Sequence, residues 1–305
     1  MRFASFHFRS QDRIGLIEEN EILLLPEELG DLVCVIEAGE RALRQIAELV
    51  EKTGLERIAP SDIRLQAPIR RFRRDILCAG WNYWDHFEEG IGRRDGQEVE
   101  RPGAPTFFTK GPGTVIGPHD DIGFDSRISA KWDYEAELAL VIGKTGRSIP
   151  RDRALEHVFG FCLANDVSQR DLQRRHGGQW LKGKSIDGTM PLGPVLVTPD
   201  EIDCAAIQLR CVLNGVEVQN ASTRLMAFSV PELIAELSFG MTLHAGDVLL
   251  TGTPAGVGNA RTPALFMKAG DEVVVSGTGL GELRNRLVET DLYGASSVPA
   301  FGALP

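Results

Sequence analysis

Three acidic residues have the types and spacing that most invite chemistry. The segment Asp133-Tyr134-Glu135-Ala136-Glu137-Leu138-Ala139-Leu140-Val141-Ile142-Gly143 reads as a strand. Alternation puts Ala136, Leu138, Leu140 and Ile142 on one face and Glu135, Glu137, Ala139 and Val141 on the other. Two carboxylates leading into an apolar stretch repel each other, and burial aggravates the repulsion. A divalent cation bound by both relieves it. The plainer alternative is a strand whose exposed face begins with two glutamates. A second strand-like run, residues 159–164, ends in Asn165-Asp166-Val167-Ser168. Asp166 is there either a third ligand or a helix N-cap. Three carboxylates with open water positions suit Mg²⁺ or Mn²⁺, and the absence of a Cys or His cluster argues against a structural zinc.

A base is available nearby in type. In Cys78-Ala79-Gly80-Trp81-Asn82-Tyr83-Trp84-Asp85-His86-Phe87-Glu88-Glu89-Gly90, His86 and Glu89 are neighbours if the stretch is helical. A carboxylate on one imidazole nitrogen orients the ring and raises its basicity, which makes a general-base pair; a surface His–Glu pair is the alternative. Residues 178–185, Gly-Gln-Trp-Leu-Lys-Gly-Lys-Ser, satisfy the phosphate-loop pattern. No buried strand precedes them and Pro191 and Pro194 follow, so the pattern lacks its mechanism, although Lys184 remains a fixed positive charge. Gly277-Thr278-Gly279-Leu280-Gly281 reads as a turn. The run Thr251-Gly252-Thr253-Pro254-Ala255-Gly256-Val257-Gly258 follows a buried strand and offers exposed amides to a ligand, or is a plain turn.

The elements that must position these groups are mostly strands. Residues 3–8, 13–17 and 22–25 read as strands and 36–51 as a helix, forming a small N-terminal unit over 1–70; Pro60, Pro68 and the basic run Arg70-Arg71-Phe72-Arg73-Arg74 mark its end. From 71 to 305 short β segments (76–79, 106–109, 133–142, 194–197, 207–213, 248–251 and 272–276) alternate with Gly and Pro turns. Helices are expected only at about 151–159 and at 229–239, where Ser229 and Glu232 make a capping box. Residues 296–305 read as a loose tail. This irregular order argues against a doubly wound parallel sheet and for an α+β, mostly β architecture.

Composition narrows the partners. The 305 residues suffice for a large core, and 43 acidic against 33 basic residues disfavour nucleic acid or an anionic membrane. No apolar run is long enough to span a bilayer, the first residues lack a signal peptide's apolar core, and five cysteines form no CxxC pair. A reducing cytoplasm is expected.

Taken in order, these segments resemble the fumarylacetoacetate hydrolase family over about residues 74–290. The resemblance rests on Gly80 to His86, Phe107-Phe108-Thr109-Lys110, Asp133 to Leu138, Asn165-Asp166-Val167-Ser168 with Arg170-Asp171, Gly183-Lys184-Ser185, Pro191-Leu192-Gly193-Pro194 and Thr251 to Gly258. It implies a mixed β-sandwich roll with a small N-terminal domain, usually as a homodimer. It further implies a metal held by Glu135, Glu137 and Asp166, a catalytic set of His86, Glu89, Lys184 and Gln173, and substrate contacts from Thr253, Lys110 and Arg170. Asp85, near a fourth ligand used by some members, stays outside the ligand set. Ile186 departs from the aromatic residue common at its position, and residues 85–105 would form a lid. The implied reaction is Mg²⁺- or Mn²⁺-dependent hydrolysis of a C–C bond in a small 2,4-dioxo acid of acylpyruvate type, with isomerisation or decarboxylation as the alternative. A non-catalytic metal-dependent binding protein and a nucleotide-binding protein are the remaining rivals.

Overall fold

The computed structural model describes residues 1–52, 54–94 and 98–294. Its centre is the strand Ala136–Ile142, every residue of which is buried. The two faces expected from alternation meet different partners. Ala136, Leu138, Leu140 and Ile142 pack against Leu209, Cys211, Val273, Val275 and Leu283. Ala139 and Val141 join Leu32, Val35, Ile36 and Ile46 on the opposite side. Each fully buried aliphatic side chain contributes roughly 1.5–3 kcal/mol. The strand is therefore stabilised enough to carry charges at its start.

That strand belongs to a twelve-stranded mixed sheet. Its antiparallel neighbours are Val158–Asn165 on one side and Val248–Leu250 on the other. Val248–Leu250 runs parallel to Ile76–Gly80, which pairs antiparallel with Thr106–Lys110. In the other direction Met190–Val197 carries the sheet on to Arg2–Phe8, with Arg2 opposite Val197 and Phe3 opposite Leu196. The hairpin strands Gln11–Glu18 and Glu21–Leu24 extend it further. A second sheet of five strands orders Val216–Ser222, Gln208–Leu213, Glu272–Gly277, Gly281–Glu289 and Ile122–Phe124. It lies over one face of the large sheet, while the helices Leu32–Ala38 and Glu40–Lys52 cover the other. This is the mostly β, mixed-sheet architecture expected. No helix among the described residues is long and apolar enough to cross a membrane.

Several expectations shift in detail. The helix expected over 36–51 is two helices, because Gly39 sits at φ 59° between them. The helix expected near 151–159 is a 3₁₀ segment, Arg151–His157, and Val158 already begins a strand. The segment read as one strand over 133–142 is Trp132–Asp133 and Ala136–Ile142, separated at Tyr134 and Glu135. Helix Val230–Ser238 keeps its capping box, with the Ser229 amide donating to Glu232 Oε2 at 2.8 Å. The tail expected at 296–305 lies outside the described residues.

The junction of the first hairpin with the basic run rests on Asp12. It accepts from Arg70 Nη1 at 2.6 Å and Gln66 Nε2 at 2.9 Å, and lies 3.0 Å from His7 Nδ1. Partial burial pushes its carboxyl up, but the contacts with His7, Arg70 and Gln66 outweigh this and lower it from 3.8 to about 2. A lowered carboxyl stabilises the fold above its unfolded value and loses that contribution as pH falls through the folded one. Asp12→Asn should therefore be less stable than the wild type at neutral pH. In urea melts that difference should shrink as pH falls from about 3.8 towards 2. A difference independent of pH would show that charge is not what Asp12 contributes.

Candidate active site

The antiparallel pairing of Ala136–Ile142 with Val158–Asn165 brings the three acids together. Ala136 lies opposite Asn165 and Glu137 opposite Ala164, so the start of one strand meets the end of the other. The Asp166 amide donates to Glu135 O at 2.9 Å, and the Glu135 amide to Asn165 Oδ1 at 3.0 Å. Glu135, Glu137 and Asp166 each present an oxygen, and these oxygens all lie within 4.8 Å of one another. All three residues are buried. The N-cap alternative for Asp166 does not hold, because the next helix, Arg170–Arg175, is preceded by Gln169. The exposed-strand alternative for Glu135 and Glu137 does not hold either.

Buried cations hold the acids in place. Lys184 Nζ donates to Glu135 Oε2 at 2.6 Å and to Asp166 Oδ2 at 2.7 Å. Lys110 Nζ is 2.8 Å from Asp166 Oδ1, and Arg170 Nη1 is 2.7 Å from Glu135 Oε1. Burial pushes the Glu135 carboxyl up, but Lys184 and Arg170 outweigh it and hold Glu135 below the usual carboxylate range. Burial also disfavours the charge on Lys184, yet Asp166 and Glu135 keep its ammonium more basic than usual. Glu137 is the exception. Burial, and then the charges of Asp166 and Glu135, push it well above the usual range, and the Gly252 amide donating at 2.7 Å does not compensate. A buried carboxylate beside two others, with hard oxygen donors, fits a divalent cation of the Mg²⁺ or Mn²⁺ type.

His86 and Glu89 meet, as their helical spacing implies. Helix Trp84–Glu89 follows the strand Ile76–Gly80, and His86 Nδ1 is 2.7 Å from Glu89 Oε1. Glu89 Oε2 accepts from the Gly256 amide at 2.8 Å. Gly252 and Gly256 sit at φ 94° and 110°, where only glycine is free of strain, so this loop can aim its amides at the carboxylates. A cleft of about 80 Å³ is lined by His86, Glu89, Glu135, Glu137, Lys184, Gln173, Arg170 and Thr253. Larger cavities, of about 740 and 540 Å³, lie against the N-terminal strands and helices and contain none of the three acids.

Two expected substrate contacts are placed differently. Lys110 is fully buried behind Asp166, its Nζ also donating to Val167 O at 3.0 Å, and it does not line the cleft. Thr253 reaches the cleft, but its hydroxyl donates to Ala136 O at 3.0 Å and accepts from Gln219 Nε2 at 2.8 Å. Its proton is thus already committed to the strand. Gln173 turns Oε1 to Arg170 Nη1 at 3.1 Å, which leaves its amide donors for a ligand. The phosphate-loop match is a four-residue helix, Leu181–Lys184, and Ser185 Oγ accepts from the Gly111 amide at 2.9 Å.

Sequence reasoning missed several contributors. Asp133, inside the quoted motif, accepts from Arg170 Nε at 2.8 Å and from the amides of Gly258 and Asn259 at 2.7 and 2.9 Å. Gln219 comes from the other sheet, accepting from the Ala136 amide at 2.9 Å. Trp180 packs so closely on Gly80 that a Cβ there would lie 2.4 Å from its ring. Of these, only Asp133 carried a signal in the sequence, as an acid beside the two glutamates.

Residues 75–288 match the family model described as the fumarylacetoacetate (FAA) hydrolase C-terminal domain. The chain belongs to the fumarylacetoacetate hydrolase family. Its relatives in this family include the oxaloacetate tautomerase YisK of Bacillus subtilis, 38% identical over 306 residues, covering 94% of this chain and 100% of that protein. A solved fumarylacetoacetate hydrolase from Exiguobacterium antarcticum superposes with a TM-score of 0.81 at 37% identity, covering 95% of this chain and 100% of that one. A maleylpyruvate hydrolase from Sphingobium sp. SYK-6, solved with manganese(II) and pyruvate, gives 0.76 at 27% identity, covering 95% and 99%. Fumarylacetoacetate hydrolase family membership thus spans both isomerising and hydrolysing relatives.

Removing one partner of a buried ion pair typically costs about 3–5 kcal/mol, because the other charge is left unpaired. Lys184→Met should lower stability by about that amount in urea melts without metal. Added Mg²⁺ should recover part of the loss, while Glu137→Gln should abolish any Mg²⁺-dependent shift of the melt. An unchanged Mg²⁺ response in Glu137→Gln would remove Glu137 from the ligand set.

Proposed function

We propose that this chain is a metal-dependent enzyme that moves a proton between C3 and the 2-oxo oxygen of a small 2-oxo dicarboxylic acid of the oxaloacetate class. The observation that carries this reading is the His86–Glu89 contact on the wall of the cleft that also holds Glu135 and Glu137. With Nδ1 engaged by a carboxylate, Nε2 is the nitrogen left to act as base. His86 Nε2 takes the C3 proton and hands it on to the oxo oxygen, so one C–H bond is exchanged for one O–H bond and the imidazole is returned to its starting state. A Mg²⁺ or Mn²⁺ ion held by Glu135, Glu137 and Asp166 supplies Lewis-acid polarisation of the oxo group when bound. Lys184 and Arg170 keep Glu135 ionised and ready to bind. The similarity to an oxaloacetate tautomerase along nearly the whole chain supports the substrate class.

Hydrolysis of a C–C bond in a 2,4-dioxo acid is the second reading. It is favoured by Lys184 and the donor end of Gln173 on the same cleft, since a tetrahedral oxyanion needs such donors, each worth about 3–4 kcal/mol. In that case His86 Nε2 takes its proton from water. We further propose a homodimer, a cytoplasmic location consistent with five free cysteines, and a division near residue 70, supported by the family match beginning at residue 75. In the same proposal residues 85–105 form the lid over the cleft, held down where Arg93 donates to Arg261 O and Thr262 Oγ1; of that stretch, 95–97 lie outside the described residues.

The test is the enol-to-keto conversion of oxaloacetate, followed by loss of enol absorbance, with Mg²⁺, with Mn²⁺ and with chelator. Turnover should require metal. His86→Ala should reduce it by roughly 10²–10⁴-fold while keeping the Mg²⁺-dependent melting shift. Full activity in chelator, or in His86→Ala, would overturn the scheme. Release of two acids from an acylpyruvate, with no effect on oxaloacetate, would select hydrolysis.

A further inference from the structure

We infer that Arg94 is the specificity-determining residue of the cleft and receives the distal carboxylate of a dicarboxylic substrate, an inference that rests on the 2-oxo acid reading above. Arg94 lines the same cleft as Glu135, Glu137 and Lys184 and is only 7% exposed. Its surroundings leave a buried charge poorly matched. The guanidinium lies over the rings of Phe87 and Trp81, 4.1 and 5.2 Å from their centroids, and Nη2 donates to Phe87 O. Among the described residues its carboxylate neighbour is Glu98, half-exposed, which accepts from the Arg94 backbone amide at 3.2 Å but leaves Oε2 3.7 Å from Nη1, beyond hydrogen-bond reach of the guanidinium. A guanidinium has five N–H donors in a rigid fork, and here the aromatic faces accept none of them in the plane of that fork. Burial accordingly disfavours its charged form, and Glu98 offsets this only in part.

The other cations at this end of the sheet are already committed. Lys184 is held by Glu135 and Asp166, and Arg170 by Asp133 and Glu135. Arg174 also lines the cleft but is more exposed. Arg94 is moreover held in place before any ligand arrives. The preceding Arg93 ties the segment to the opposite loop, donating to Arg261 O at 2.9 Å and to Thr262 Oγ1 at 2.6 Å. A carboxylate accepted bidentately by a fixed, desolvated guanidinium forms the strong class of hydrogen bond. A substrate with an oxo-acid end at the three acids and a carboxylate at its other end meets both demands. One ending in a methyl group leaves Arg94 unmatched.

The experiment compares two stable hydroxy acids that differ only at that end. (S)-Malate carries a carboxylate where (S)-2-hydroxybutanoate carries a methyl group. Titration calorimetry on the Mg²⁺-loaded full chain should show malate binding about tenfold or more tighter. Arg94→Met should remove that preference by weakening malate alone, and Arg94→Lys should retain part of it. Melting curves verify that each variant is folded; if Arg94→Met does not fold, Arg94→Lys carries the comparison. A malate preference that survives in folded Arg94→Met, or its absence from the wild type, overturns the assignment. Because binding is read directly, a wild type that prefers malate through Arg94 but leaves oxaloacetate untouched would support this inference while refuting the proposed reaction.

Discussion

The lysine that bridges two carboxylates is the interaction on which the site depends. Glu135, Glu137 and Asp166 are packed at the ends of central strands of an apolar sheet, and acidic groups gathered in one buried place repel each other strongly when charged. Lys184 spans Glu135 and Asp166, Arg170 takes the other oxygen of Glu135, and Lys110 reaches Asp166 from behind. Arg170 is in turn shared with Asp133. Four acids against three cations leave one acid without a counter-charge, and the geometry makes it Glu137, whose carboxyl burial and its acidic neighbours push towards the protonated form and which has only the Gly252 amide as a described hydrogen-bond donor. The cluster is thus stable enough to fold and still short of positive charge in one place. Such a site favours a divalent ion without collapsing in its absence.

Strand register does the positioning. Because side chains alternate with a period of two, a slip of one residue between Ala136–Ile142 and Val158–Asn165 would turn Glu137 away and push Leu138 into the polar end. The apolar residues farther along both strands prevent the slip, since each face is already filled, one by the second sheet and the other by the N-terminal helices. The loop after Val248–Leu250 is then held by the acids themselves: the amides of Gly252, Gly256 and Gly258 donate to Glu137, Glu89 and Asp133. One loop backbone therefore ties the three acids, the His86–Glu89 pair and the Arg170 support into a single arrangement.

How much of this could be read from the sequence follows from the range of each interaction. The two faces around Glu135 and Glu137 depend on local alternation, and the His86–Glu89 contact on helical spacing, so both were legible. The glycine-rich loop announced its exposed amides for the same reason. The role of Lys110 was not legible, because only the fold reveals that it ends behind Asp166 rather than in the cleft. Gln219 was invisible because it acts across two sheets, from a strand with no chemical signature. Gly39 shows the opposite limit: apolar spacing continued through it, but a left-handed backbone ended the helix.

The N-terminal segment has more to do with the site than its distance along the chain suggests. Arg2–Phe8 continues the main sheet beside Met190–Val197, and Leu32, Val35, Ile36 and Ile46 cover the face bearing Ala139 and Val141, the same face from which Glu137 projects. Without that cover the apolar end of this face would be open to water. Solvent reaching the carboxylates would screen them from Lys184 and from each other, and the elevated affinity of Glu137 for positive charge would fall with the rise in local dielectric. Ala139 and Val141 are fully buried on this face, and Glu137, two residues earlier, lines the cleft. Low dielectric and access from the cleft are thereby combined at one end of one strand, the condition that the proposed metal-assisted proton transfer requires.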